Sequence, residues 1–217
     1  MAVSSAAGVG RASRGRRAPR ISGDDRERAI LARAEQLLED RPLQEISVDD
    51  LARGAGISRS AFYFYFPSKE AVLLSLLDGV VEEARGTPLV VPAGDPRTAL
   101  KKRLEAIHGT FRAHRAVTLA AARARGTNAE VRQLWARVME AFVQDTTEVI
   151  EAERDRGAAP GGIPARDLAV ALNRMNERVL EASFDGDTPA LDDAAVIDTL
   201  VEVWLRAIYA AVTPPRG

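Results

Sequence analysis

Three groups of residues in this 217-residue chain have types and spacings that could do chemistry. The first is Arg59, Ser60 and Tyr63, which follow Ser58, a serine able to cap backbone N–H groups, in a segment that closes at Pro67. A guanidinium, a hydroxyl and a phenol at the start of a short exposed helix can hydrogen-bond base edges in a DNA major groove about 12 Å wide. Ser47 at one neighbouring helix start and Lys69 at another are placed for phosphate, the former through aligned N–H groups and the latter through its charge. The competing account is a three-helix packing unit whose aromatics are all core. The second group is Asn173 and Asn176, at i and i+3 on one helical face beside Leu172 and Met175. Asparagine is a poor helix former, and a few amides in an apolar cavity suit a small-molecule site. The plainer account is that they face water or cap a neighbouring helix.

The third group is His108, His114, Asp145 and Glu181, which an apolar pocket could set to acid–base work. The histidines stand about a turn and a half apart, not at the i, i+4 spacing of a helical metal pair, and read as pocket-edge or surface residues. The chain has no phosphate-binding glycine loop, nucleophile elbow or metal motif, and no cysteine for thiol chemistry or disulfides. These absences favour a binding protein over an enzyme, with no catalytic residue, metal or cofactor expected. A purely structural helical dimer is the third class.

The elements that must position these groups are helical. After residue 23 the apolar spacing is that of helices, and no convincing alternating strand appears, so the fold class is all-α. A first helix is expected over Asp24–Asp40, with Ile30, Ala34, Leu37 and Leu38 on one stripe. Two short helices follow, Val48–Arg53 and Arg59–Phe64, joined by Gly54-Ala55-Gly56-Ile57 and each preceded by a capping serine, which makes a helix-turn-helix. Phe62-Tyr63-Phe64-Tyr65-Phe66 alternates with period two and could be a strand, but the Ser58 cap, Pro67 and the lack of a partner strand favour a helix. That helix puts Phe62 and Phe66 on one face and Arg59 and Tyr63 on another.

A fourth helix is expected over Ser68–Arg85, a loop over Pro88–Pro96 and a fifth helix from Asp95-Pro96, with a shorter one ending at Gly126. Thr127-x-x-Glu130 reads as a capping box for a long helix to about Arg156. Two last helices, Pro164–Phe184 and Pro189–Val212, each carry proline in the first turn. Nine helices result. Leu168, Leu172, Val179, Ile197, Val201, Trp204 and Ile208 offer apolar surface for a two-fold dimer through the last two, though several could face a pocket instead.

Composition agrees with a well-filled core, at 46% hydrophobic and 28% charged residues. Net charge is −1, yet residues 1–23 hold Arg11, Arg14, Arg16, Arg17 and Arg20 with no acid, which leaves −6 on the rest. An acidic body with a basic arm points to a polyanion partner; the arm superficially suits an organelle transit peptide as well. No apolar run approaches the roughly 20 residues of a membrane-spanning helix.

The run Ile46–Leu77, ISVDDLARGAGISRSAFYFYFPSKEAVLLSLL, resembles the DNA-binding motif of the TetR family of one-component bacterial regulators. GDDRERAILARAEQLLEDRPL before it, TEVIEAERDRGAAP at Thr147–Pro160 and ALNRMNER at Ala171–Arg178 resemble a mycobacterial repressor of that family. The resemblance covers nearly all of residues 14–210. It implies a basic arm over 1–23, a helix-turn-helix domain over 24–67 and a ligand-binding and dimerisation domain over 68–217. It further implies a cytoplasmic, nucleoid-associated repressor that binds a palindromic DNA operator as a homodimer and is released by a small apolar ligand. Ser47, Ser58, Arg59, Ser60, Tyr63, Tyr65 and Lys69 match the family's DNA-facing places. Asn173 and Asn176 match the polar contacts of the ligand tunnel, and Leu100, Leu104, Ile107, Phe142, Thr146 and Trp204 match its walls. Glu181 and Asp145 stand where the mycobacterial relative has aromatics, and Leu100 where it has a tryptophan. An inward Glu181 would be costly unless paired, so it is expected to shorten the tunnel or to select a ligand with a donor or a cation.

Overall fold

The computed structural model describes residues 23–87 and 95–209. The expected arm before Gly23, most of the Pro88–Pro96 loop and the chain from 210 onward lie outside them. The described residues form nine α-helices and one 3-10 turn, with no strand among them. Helix α1, Gly23–Asp40, buries Ile30, Ala34, Leu37 and Leu38, the stripe its spacing predicts, and carries Asp24 and Asp25 at its positive end. A 3-10 turn at Leu43–Glu45 leads to α2, Val48–Gly54, and then α3, Arg59–Phe62. The aromatic run is not a strand: Tyr65 N donates to Phe62 O at 2.9 Å and Phe66 N to the same carbonyl at 3.1 Å, so the chain coils tightly instead. Regular α-helix ends at Phe62, two residues short of the expected Phe64, because Phe64 N and Tyr65 N donate to carbonyls only three residues back, Ala61 O and Phe62 O.

Helix α4, Lys69–Arg85, starts at a Ser68 cap and packs on α1 at one side and on the body helices at the other. The body comprises α5 (Pro96–Ala113), α6 (Arg115–Ala124), α7 (Ala129–Asp155), α8 (Ala165–Asp185) and α9 (Asp193–Tyr209). Helix α7 lies along α8, and α5 along α9. One apolar core runs from Ile30 in α1 through Phe62, Leu77 and Phe111 to Val201 in α9. The helix-turn-helix of α2 and α3 is thus anchored in the same core as the body.

Two caps differ from expectation. Asn128, not Thr127, opens α7, because its Oδ1 accepts from both Glu130 N (2.9 Å) and Val131 N (3.0 Å) while Thr127 Oγ1 turns back to Ala124 O. Helix α9 begins at Asp193 rather than Pro189, since Asp192 O takes the first helical N–H groups, from Ala195 and Val196. Pro164 is the residue before α8, not within its first turn.

Five of the seven residues expected at a dimer surface, Leu168, Leu172, Val201, Trp204 and Ile208, are buried inside the protomer. They fill the seams that α8 and α9 make with the body. The large apolar residues left exposed along these helices are Val170 and Val203.

A candidate DNA-reading face and a candidate ligand cavity

The reading segment is held from beneath by two phenylalanines. Phe62 is fully buried and Phe66 nearly so, their rings 6.1 Å apart, and burial of such a side chain contributes about 1.5–3 kcal/mol. This leaves Ser58, Arg59, Ser60, Tyr63 and Phe64 exposed and Tyr65 half-buried. Gly56, at φ 68, makes the turn that brings α3 across α2.

Several outward groups already have partners. Ser47 forms a reciprocal cap with Asp50: its Oγ accepts from Asp50 N at 3.1 Å and its own N–H donates to Asp50 Oδ2 at 3.1 Å. Ser47 Oγ also donates to Asp50 Oδ2 at 2.7 Å, and this bond first, then that from Ser47 N–H, with the nearby Arg41 and Arg53, holds the Asp50 carboxyl below the usual carboxylate range. Ser58 Oγ accepts from Ala61 N at 3.2 Å and lies 3.0 Å from Ser60 Oγ. Arg59 Nη1 donates to Asp49 Oδ2 at 2.9 Å, and its guanidinium lies 6.0 Å from the Tyr63 ring centre. Lys69 Nζ donates to three carbonyls, Leu43 O (2.7 Å), Gln44 O (3.0 Å) and Ile46 O (2.8 Å). Lys69 therefore staples the turn before α2 to the start of α4. Phe64, with 88% of its surface exposed, is an outward residue that sequence reasoning did not mark. Its signal was the offset from buried Phe62 and Phe66 along one helical turn.

The ligand candidates converge in the body. A cavity with about 640 Å³ of empty space, partly open to solvent, is bounded by Phe111, Trp135, Met139, Leu180, Phe184 and the charged group Arg125, Glu177 and Glu181. A narrower one of about 310 Å³ is bounded by Leu100, Leu104, Thr146 and Trp204, with Arg103 and Asp145. Ile107, Phe142, Asn173 and Asn176 border both, so they form a waist between two chambers. Every residue matched to the tunnel thus falls on one wall or the other.

At the waist the amides are ordered by the protein itself. Asn173 Nδ2 donates to Ala169 O (2.9 Å) and Thr146 Oγ1 (3.0 Å), while Asn176 Oδ1 accepts from Trp204 Nε1 at 3.0 Å. Asn176 Nδ2 and Asn173 Oδ1 make no hydrogen bond among the described residues, which leaves one donor and one acceptor for a guest.

Charges at the two ends differ. In the wide chamber Arg125 pairs with both Glu177 and Glu181, the latter at 3.2 Å, and lies 5.0 Å from the Trp135 ring centre. Burial would raise the Glu177 carboxyl, but hydrogen bonds from Arg174, Trp135 and Arg125 outweigh it and hold it low. Glu181 is consequently a paired wall residue and is not free to select a cation. In the narrow chamber Arg103 is 5% exposed; its Nη1 donates to Ala84 O at 2.9 Å and to Thr87 O, and its guanidinium lies 5.5 Å from the Phe142 ring centre. Burial draws the Arg103 guanidinium below its ordinary value, with Asp145 opposing.

The histidines lie apart from the chambers' chemistry. His108 is buried and stacked on Phe184 at 5.4 Å, and burial keeps it below its ordinary value. His114, at the junction of α5 and α6, lies with Nδ1 2.5 Å from Glu35 of α1 and Nε2 3.5 Å from Glu83 of α4. His108 thus backs the wall of the wide chamber, and His114 is half-buried among α1, α4 and the α5–α6 junction. Among the described residues no group of His, Asp and Glu could hold a metal, and no helix is long and apolar enough to cross a membrane.

Comparison with known proteins shows the family of the chain. Residues 30–76 match the family described as bacterial regulatory proteins, tetR family, and residues 100–210 match the C-terminal domain of the transcriptional regulator EthR. The HTH-type transcriptional regulator EthR of Mycobacterium tuberculosis (strain ATCC 25618 / H37Rv) is 55% identical over 211 residues, 95% of this chain and 98% of the relative. That of Mycolicibacterium smegmatis is 47% identical over 205 residues, 93% and 94% of the two chains. A tetR-family transcriptional regulator from Streptomyces coelicolor shares the fold with a TM-score of 0.69 at 18% identity, over 86% of this chain and 81% of that one. The chain belongs to the TetR family of bacterial transcriptional regulators. Within it the C-terminal part is of the EthR kind, and the chain is a regulator, not an enzyme.

Proposed function

We propose that this regulator is a cytoplasmic, nucleoid-associated repressor that binds a palindromic operator as a two-fold dimer and leaves it when a small, largely apolar ligand enters the body. The observation that carries this reading is the two-chambered cavity, walled by α5 and α8, in a body whose helix α6 packs on α1, as does the adjoining α4. A ligand acts only through different affinity for two states, so it must shift these helices and with them the reading segment. The functional division is an arm over 1–23, a reading unit over 24–67 and a ligand and dimer unit over 68–217. Arg59, Ser60 and Tyr63 meet base edges, Arg59 exchanging Asp49 for DNA, while Ser47, Ser58 and Tyr65 lie toward phosphates. Dimerisation uses the outer faces of α8 and α9 around Val170 and Val203, which sets operator half-sites about 34–36 Å apart or a further whole turn.

The test is a footprint on the DNA flanking this protein's own gene, repeated with an organic extract of cells. A symmetric protected segment that the extract releases is expected. Absence of protection at physiological salt, or a protected segment without two-fold symmetry, overturns the reading.

A further inference from the structure

The narrow chamber carries an unbalanced charge. Arg103 and Arg85 share a single carboxylate, Asp145, at 4.0 and 3.7 Å, and both separations exceed hydrogen-bond reach. Arg103 Nη1 is spent on the carbonyls of Ala84 and Thr87, while Nε and Nη2 donate to no group among the described residues. An arginine stays charged at any physiological pH, so a guanidinium this well buried needs an anion more than its shared neighbour supplies. The wide chamber's charges are matched among themselves: Arg125 faces Glu177 and Glu181, which pair as well with Arg174 and Arg178. Between the two lies an apolar waist with one free amide donor. From Arg103 to Phe111 along α5 the wall runs roughly 12 Å, long enough for an extended hydrocarbon chain.

The geometry points to an amphipathic acid as the ligand: a compact monoanionic head, a carboxylate, at Arg103, and an apolar chain passing the waist into the chamber lined by Phe111, Trp135 and Phe184. The inference rests on the cavity being the ligand site. The head takes the two unspent guanidinium donors and displaces Asp145 toward Arg85. The wide chamber, closed by an internal pair, Arg125 with Glu177, offers the tail no uncompensated cation. A head of that sign therefore enters in one orientation. An alcohol or ester of the same length fills the same apolar path but leaves Arg103 as it is.

The experiment is calorimetric titration of the full-length protein with decanoate, methyl decanoate and decyltrimethylammonium, each below its micellar concentration. Decanoate is expected to bind about tenfold or more tightly than the ester, and the ammonium more weakly than either. Arg103→Gln should remove the preference for the acid and leave ester affinity within about twofold. Because Arg103 also braces the end of α4, Asp145→Asn serves as the second variant: it frees Arg103 without touching that brace and should tighten decanoate alone. Ala122→Phe, which fills the wide chamber, should weaken acid and ester together. Equal affinity of acid and ester in the parent, or an Asp145→Asn that changes neither, overturns the charge assignment. If Ala122→Phe changes no ligand's binding, or none of the three binds, the cavity itself is not the ligand site and both readings fall.

Discussion

His114, at the junction of α5 and α6, ties α1 and α4 to the body, and replacing it by glutamine removes its charge while keeping a side-chain donor. Its Nδ1 lies 2.5 Å from Glu35 Oε1, with Glu83 3.5 Å from Nε2, and the ring is 28% exposed. The hydrogen bond to Glu35 is the largest influence, followed by burial, which opposes it, and then the charges of Glu35 and Glu83; the net effect raises the His114 value above its ordinary one. A charge-assisted bond of this kind contributes about 1.5–3 kcal/mol when shielded, and partial exposure brings the expectation down to about 1 kcal/mol. Because the folded-state value is the raised one, the contribution is complete below the ordinary histidine value of about 6.5 and disappears as pH climbs through the folded value. Urea unfolding at one fixed protein concentration should therefore show His114→Gln less stable than the parent by about 1 kcal/mol near pH 6, the two converging near pH 9. A difference of the same size at both pH values would refute the reasoning, because it would show that the pair contributes through shape and not charge.

Gly56→Ala puts a Cβ on a residue at φ 68 and should lower stability by about 1–2 kcal/mol in the same unfolding assay, although nothing stands within 4 Å of the added carbon. Tyr63→Ala should weaken operator binding by about 1–3 kcal/mol in gel shifts and leave binding to random DNA unchanged. Removing residues 1–20 should instead weaken all DNA alike and flatten the salt dependence, the slope of log K against log salt falling by about 0.9 for each phosphate the arm neutralises. Asn176→Ala leaves Trp204 Nε1 buried without its acceptor, so thermal stability should fall by about 1–3 kcal/mol together with ligand affinity, while operator affinity per folded protein holds.

Periodicity made the α1 stripe and the Phe62–Phe66 anchor legible, because local spacing alone decides which side of a helix is apolar. It could not say which neighbour an apolar face meets, and so Leu172 and Ile208, buried within one protomer, read as dimer surface. Asp49 and Arg59 are ten residues apart, and only the turn at Gly56 decides that they pair. Lys69 shows the same limit: its three carbonyls come from a turn more than twenty residues earlier. The waist residues were found through family resemblance, since two asparagines in a helix do not by themselves reveal a cavity. Arg103 went unmarked although it had a signal, a cation three residues after Leu100 and next to Leu104 on an otherwise apolar stripe.

The five residues from Phe62 to Phe66 divide their labour by position. Phe62 and Phe66 belong to the interior and tolerate little change, whereas Tyr63 and Phe64 lie outside the core, and Arg59 and Ser60 just upstream are equally exposed. A stretch of only four α-helical residues could not persist unaided, so its shape is lent entirely by its buried half. Descendants of this chain can accordingly exchange the outward letters freely, without first gaining stability to absorb the change.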